Sequence, residues 1–237
     1  MASHPPGQCC VEKHIHEGTP IGEYKPVFDL DTYSVGDNND KIVVIITDIY
    51  GNKLVNTQLI ADEISRNGFK VLIPDILQGD PIGTQDLQQW IKKHGPELTS
   101  NIVDGFLKKV RQELKPKFLF GLGHCFGGKY TIQNLSENGL LDAGAVAHPS
   151  FVDIEEVKQI KKPLLISAAE TDPIFPIELR HQTEVELIKT GTRYQIDLFS
   201  GVSHGFAVKG DITNPVVKYA KEKALTDQIC WFHEFSK

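Results

Sequence analysis

Gly123-His124-Cys125-Phe126-Gly127 sets a cysteine between two glycines, in a stretch that passes from an apolar run into a helical pattern. This is the G-x-C-x-G form of the strained strand-to-helix turn that presents a nucleophile. Gly123 and Gly127 remove the side chains that would collide with the adjoining backbone at such a turn. The helix expected next aims its first amides at the sulfur, which favours thiolate and any developing oxyanion. A cysteine merely packed in a glycine-rich turn is the plain alternative, and the strand-to-helix context argues against it.

A cysteine nucleophile needs a base, and the base needs an orienting group. Asp172 follows one apolar run in Ala169-Glu170-Thr171-Asp172-Pro173, and His204 follows the next in Ser200–Phe206. Cys125, Asp172 and His204 therefore stand in the chain order nucleophile, acid, histidine. Glu170 is a second candidate acid, and Asp172 could instead serve an Asx-turn or a helix cap. His204 is one of nine histidines, so it could be an ordinary loop residue. His148, after a short small-residue strand, borders the same region. His14 and His16 alternate in an expected N-terminal strand, but no third ligand lies near them, so no metal site is expected. Cys9 and Cys10 are adjacent and lack the two-residue spacer of zinc or thioredoxin-type motifs, so they read as incidental. Cys230 reads as a small hydrophobe packed by a helix. A redox role for Cys125 would require a resolving thiol nearby, and the sequence places none.

These residues demand a scaffold that brings successive strand ends together. Strand patterns fall at Lys41–Thr47, Phe69–Ile73, Lys117–Gly121, Gly144–Ala147, Pro163–Ala168 and Tyr194–Phe199. Helical patterns fall at Lys53–Asn67, Leu87–His94, Pro96–Leu114, Lys129–Glu137, Ile177–Lys189 and Val216–Phe235. Alternation of this kind predicts an α/β fold, a mostly parallel sheet with helices on both faces. Ligands then bind beyond the carboxyl ends of the strands, where all three candidates lie. The chain divides into an N-terminal extension, 1–24, packed on or near a single domain, 25–237.

Composition bounds the class. With 237 residues, 40% hydrophobic and 24% charged, the chain suits one globular core and not a disordered or collagen-like protein. Lys+Arg 25 against Asp+Glu 31 gives a net charge of −6, which offers no electrostatic footprint for nucleic acid and no polybasic membrane patch. No signal-peptide pattern opens the sequence, no apolar run is of membrane-spanning length, and no lipidation box closes it. Four cysteines are too few for a disulfide scaffold at this length, so free thiols in a reducing cytosol are expected.

Asp48-Ile49-Tyr50-Gly51, Pro74-Asp75, Gly123–Gly128, Glu170-Thr171-Asp172 and His204-Gly205-Phe206 together resemble the dienelactone hydrolase family within the α/β-hydrolase fold, and its fungal branch most closely. The resemblance runs from about residue 25 to the C-terminus. It implies a cofactor-independent hydrolase of small esters or lactones, placed in the cytoplasm or nucleus, with no nucleic-acid or membrane partner. Carried over residue by residue, Cys125 is the nucleophile, His204 the base and then acid, and Asp172 the orienter. The backbone N–H groups of Ile49 and Phe126 form the oxyanion hole. Asp48 stands where bacterial members carry a glutamate close to the resting thiol. Those members bind a substrate carboxylate with arginines. Val208 occupies one such position here, Lys209 is beside it, and Asp80–Trp90 contains no arginine. These departures leave open a second class, a catalytically silent or redox-sensing small-molecule-binding protein on the same fold.

Overall fold

The computed structural model describes residues 1–237. Eight strands form one sheet: β1 (Glu23–Val27), β2 (Leu30–Val35), β3 (Lys41–Ile46), β4 (Lys70–Pro74), β5 (Phe118–His124), β6 (Ala143–Ala147), β7 (Leu164–Thr171) and β8 (Tyr194–Ser203). Their order is β1-β2-β4-β3-β5-β6-β7-β8. β1 and β2 pair antiparallel, β2 meets β4 antiparallel, and every later pairing is parallel. The interior strands β3 and β5 are continuous apolar runs because both of their faces are covered.

The eight α-helices are α1 (Val55–Arg66), α2 (Leu87–Lys93), α3 (Pro96–Lys109), α4 (Gly127–Gln133), α5 (Ile154–Lys158), α6 (Ile177–Thr190), α7 (Phe206–Lys209) and α8 (Pro215–Glu234). From β3 the chain steps one way to β4, then returns past β3 to β5 and continues to β8. Right-handed crossovers consequently put α1 on one face and α4, α5 and α6 on the other. Contacts of α1 with α7, α7 with α8, α4 with α5 and α5 with α6 agree with that division. Sequence-local devices end the helices: Gly191 takes φ 67° after α6, and the Asn214 side chain accepts the Val216 N–H at the start of α8. No helix is long and apolar enough to cross a membrane.

The alternating units lie where their patterns predict, with instructive differences. The helix expected over Pro96–Leu114 widens into a π-type turn at Val110–Leu114 and stops at Lys115, which has φ 50°. The helix after Cys125 begins at Gly127, two residues early, because the Cys125 carbonyl already accepts the Gly128 N–H at 3.0 Å. The β1–β2 hairpin carries little hydrophobic signal, since β1 is an exposed edge strand. His14 and His16 do not lie in a strand. Asn56 accepts the His16 N–H at 2.9 Å and donates to the His14 carbonyl at 2.8 Å, so a buried side chain of α1 takes the place of a neighbouring strand. Cys230 is exposed, not packed. Ile229, Trp231 and Phe232 of α8 take the inward positions and leave it on the outer face.

The order in which the chain lays down its strands reverses at β3, which has β4 on one side and β5 on the other, both parallel to it. A crevice outside the carboxyl ends of such strands is the expected ligand position. Asp48 and Ile49 follow β3, and Cys125 follows β5.

Candidate active site

Cys125 has φ 47°, the left-handed region that a non-glycine residue enters at a cost. Hydrogen bonds hold it there: its N–H donates to Ala147 O at 3.1 Å, and its carbonyl accepts from Ser150 N at 3.0 Å. Both flanking glycines are sterically required. A Cβ on Gly127 would stand 1.9 Å from the Ile46 carbonyl oxygen of β3, and one on Gly123 would stand 2.7 Å from the Gly127 carbonyl oxygen.

The histidine and the aspartate meet through strand register. Thr171 of β7 pairs with Ser203 of β8, and the His204 N–H donates to Thr171 O at 3.1 Å. Asp172 and His204 therefore leave the sheet side by side. Both carboxylate oxygens lie 2.9 Å from His204 Nδ1. Oδ1 also accepts the N–H groups of Ile174 and Phe175, at 2.8 and 2.9 Å, which fixes the carboxylate. On the other side of the ring, Nε2 lies 3.2 Å from Cys125 Sγ. The side chains of His204 and Asp172 are fully buried, as is Cys125. Glu170 is exposed and accepts the Gly201 N–H, away from the histidine.

Cys10 is the residue that sequence reasoning missed. It sits on a short 3₁₀ turn, Gln8–Cys10, fully buried. Its Sγ is 3.5 Å from Cys125 Sγ and 3.4 Å from His204 Nε2. Sulfur and nitrogen donors of Cys10, Cys125 and His204 all fall within 4.8 Å of one another. The Cys9-Cys10 dipeptide was the available signal, but the motif spacings it fails concern local metal and redox sites, not a long-range contact. Ser150 is a second unanticipated neighbour, with Oγ 3.8 Å from Cys125 Sγ.

Residues 1–16 run across the opening as a strap. The N–H groups of Ala2 and Ser3 donate to Val152 O, and that of His4 donates to Ile174 O. The Tyr50 hydroxyl donates to Val11 O at 2.7 Å. The Lys209 ammonium donates to the carbonyls of Cys9 and Cys10. The strap is thus tied to strand-end loops on both flanks of Cys125. A cavity of about 300 Å³ beside it is lined by Cys9, His14, His204, Lys209 and neighbours, but does not reach Cys125.

The charges follow from this geometry. For Cys125 the contact with Cys10 is the largest influence lowering its pKa. Burial opposes it and the facing His204 charge reinforces it, leaving the thiol well below its usual value. Burial acts to lower the His204 pKa, but the Cys125 sulfur and the Asp172 carboxylate outweigh burial and raise it to about 10. A thiolate–imidazolium pair is the resting arrangement that both shifts describe. Cys10 is driven strongly the other way, first by its contact with Cys125, then by Cys9 and burial, so it stays a thiol.

Asp48 is fully enclosed, and burial pushes its carboxyl up to about 6 against the pull of Lys209. Its Oδ1 accepts the Tyr50 N–H at 2.9 Å while Oδ2 has no partner. His148 is buried with its ring centroid 4.9 Å from that of His204, and neither of its ring nitrogens is hydrogen-bonded. The amides of Ile49 and Phe126 donate to no group of the protein, whereas the neighbouring amides of Tyr50 and Cys125 do.

Sheet order, the left-handed cysteine after β5, and the aspartate and histidine after β7 and β8 together define an α/β-hydrolase. Within that class the chain belongs to the dienelactone hydrolase family, whose family model matches residues 30–236. The chain is 38% identical over 245 residues to hydrolase pyvD of Aspergillus violaceofuscus, covering all of both chains. It is 40% identical over 253 residues to hydrolase tropI of Talaromyces stipitatus, covering 100% of this chain and 99% of that one. A crystal structure of a putative dienelactone hydrolase from Klebsiella pneumoniae superposes with a TM-score of 0.72 at 16% identity, covering 86% of this chain and 92% of that one. At that identity the likeness speaks for the fold alone. Family membership makes the protein a hydrolase.

Proposed function

We propose that the protein hydrolyses small esters or lactones through Cys125, His204 and Asp172, by way of a thioester. The observation that carries this reading is the unbroken contact line from the Asp172 carboxylate to His204 Nδ1 at 2.9 Å and from Nε2 to Cys125 Sγ at 3.2 Å. The thiolate adds to the acyl carbon, and the carbonyl electron pair moves onto oxygen. Ile49 and Phe126 amides, free of other partners, receive that oxyanion. As the tetrahedral species collapses, the C–O bond breaks and the leaving alkoxide takes the proton from His204 Nε2. Water then gives a proton to the now neutral imidazole and adds to the thioester. Collapse expels the thiolate and restores the ion pair. Asp172 holds the tautomer and stabilises the imidazolium throughout.

Burial of Asp48 with one unpaired oxygen raises its carboxyl to about 6, so its neutral form, which spares the thiolate a neighbouring negative charge, prevails below that pH. Strap residues cover Cys125, so a substrate reaches it when the strap lifts. Cys125→Ala tested on p-nitrophenyl acetate, a small activated ester, should lose turnover by roughly 10³-fold or more. Turnover near the wild-type rate, in a variant with unchanged circular dichroism, would overturn the assignment.

A further inference from the structure

The strap places a second thiol against the reactive one, and no bond made or broken in ester hydrolysis involves that second sulfur. Cys10 Sγ touches both Cys125 Sγ and His204 Nε2, at 3.5 and 3.4 Å. Two neighbouring ties fix it there, from Lys209 to the Cys10 carbonyl and from Tyr50 to the Val11 carbonyl. A disulfide bond is about 2.05 Å long, so the sulfurs need to close by about 1.5 Å from their 3.5 Å contact. Cys10 lies on the turn Gln8–Cys10, outside the sheet, so closing that gap leaves the strand pairing intact.

We propose that Cys10 is the resolving thiol for Cys125, and that a peroxide converts the pair into a reversible Cys10–Cys125 disulfide that shuts the site. The inference rests on Cys125 being the nucleophile of the proposed hydrolysis. Cys125 thiolate attacks one oxygen of hydrogen peroxide. The S–O bond forms, the O–O bond breaks, and the departing hydroxide takes the His204 proton and leaves as water. Cys125, now a sulfenic acid, has lost two electrons to the peroxide. His204, now neutral, draws the proton from Cys10, whose sulfur attacks Cys125 Sγ. The S–S bond forms, the S–O bond breaks, and hydroxide leaves with that proton as a second water. Two thiols and one peroxide give one disulfide and two waters.

Division of labour between the sulfurs fits their surroundings. Cys125 is the stabilised thiolate that meets the oxidant, while Cys10 stays protonated until the imidazole is free to accept its proton. The consequence is steric as well as chemical. Once joined to Cys125, the strap cannot lift, so the nucleophile is consumed and its entrance closed by one bond. A dithiol reductant reverses both. The same bond protects the sulfur from irreversible oxidation to sulfinic acid.

The test treats the reduced full-length protein with hydrogen peroxide in the presence of a chelator, quenches with a thiol-blocking reagent, and digests with trypsin without reductant. Cleavage after Lys13, Lys117 and Lys129 puts Cys9 and Cys10 in Met1–Lys13 and Cys125 in Phe118–Lys129. The expected result is a cross-link between these two peptides that grows as esterase activity falls. It should persist in Cys9→Ser, vanish in Cys10→Ser, and disappear with return of activity on adding dithiothreitol. Cys10→Ser, compared with its own untreated rate and under excess peroxide, should lose activity that dithiothreitol restores only in part, because unprotected Cys125 is carried on from sulfenic to sulfinic acid. Oxygen added to Cys125 with no cross-link in the wild type, or a cross-link that requires Cys9, would overturn the proposal. The cross-link is read by mass alone. If it forms while Cys125→Ala keeps full turnover, the hydrolytic reading fails and the disulfide stands. If Cys125→Ala is inactive and no cross-link forms, the disulfide alone fails.

Discussion

Asp172 shows how much chemistry depends on which oxygen faces which partner. Its Oδ1 is held by two loop amides, from Ile174 and Phe175, besides its approach to His204. In Asp172→Asn those amides still need an acceptor, so the amide oxygen takes their side and the NH₂ group turns toward His204 Nδ1. Nδ1 must then accept, and the neutral ring carries its proton on Nε2, facing the sulfur. That tautomer cannot take a proton from Cys125, and the ring loses the charge that stabilised its imidazolium. Activity should therefore fall by roughly 10³- to 10⁴-fold with little change in fold. Alkylation of Cys125 by iodoacetamide, followed against pH, should show its ionisation moving upward. An unchanged alkylation profile would show that Asp172 does not act through the histidine. His204 and Asp172 were both legible in the sequence because each directly follows an apolar run. Cys10 was not, because its partner lies 115 residues away and no local pattern encodes that contact.

At the scale of elements, the turn between β5 and α4 is set by the space that β3 leaves. Gly127 has no room for a methyl, since a Cβ would lie 1.9 Å from the Ile46 carbonyl oxygen, a backbone atom of a central strand. Relief requires α4 to move off the sheet, carrying Phe126 and Cys125 with it. Gly127→Ala should cost about 3 kcal/mol or more in urea unfolding and abolish esterase activity. Gly105 supplies the comparison: it lies within α3, and nothing falls within 4 Å of a Cβ built there. Gly105→Ala should add about 0.5–1 kcal/mol, because alanine is the better helix former. Equal effects of the two replacements would refute the steric account. The βα units could be read from the sequence because burial on both faces gives a strand a continuous apolar signature. The β1–β2 hairpin and the strap could not, because their positions depend on single side chains of the domain. Tyr33 accepts the Gly22 N–H, Asn56 holds His14 and His16, and Lys209 holds Cys9 and Cys10. Lys209, which stands beside the position of a substrate-binding arginine in the bacterial members, has its ammonium on the strap.

For the molecule as a whole, the site carries a pH signature in folding stability. His204 ordinarily titrates at 6.5 and is raised to about 10, so its contribution is complete below 6.5 and lost as pH rises through about 10. Cys125 ordinarily titrates at 9.0 and is depressed, so its contribution is complete above 9.0 and lost as pH falls through its lowered value. Folded, the pair holds one proton, on His204. Unfolded, it holds two below 6.5, one between 6.5 and 9.0, and none above. Stability rises with pH wherever the unfolded state binds more protons. The pair therefore adds stability as pH climbs toward 6.5, gives a plateau to about 9, and loses stability above it, with limiting slopes of about 1.4 kcal/mol per pH unit on either side. Asp48 acts oppositely at the acid end. Raised from 3.8 to about 6, its contribution is complete below 3.8 and lost as pH rises through about 6, so it flattens the acid limb. Urea unfolding of the reduced protein across pH 4–10, minus the same curve for a Cys125→Ala, His204→Gln double variant, isolates the pair. A difference curve with a plateau from about 6.5 to 9 is expected, and Asp48→Asn should steepen the total climb between pH 4 and 6. A monotonic difference curve would mean that the folded pair does not hold a single proton across this range. Whether that proton sits on His204 or on Cys125 does not enter the linkage and is read instead from the ultraviolet absorbance of the thiolate.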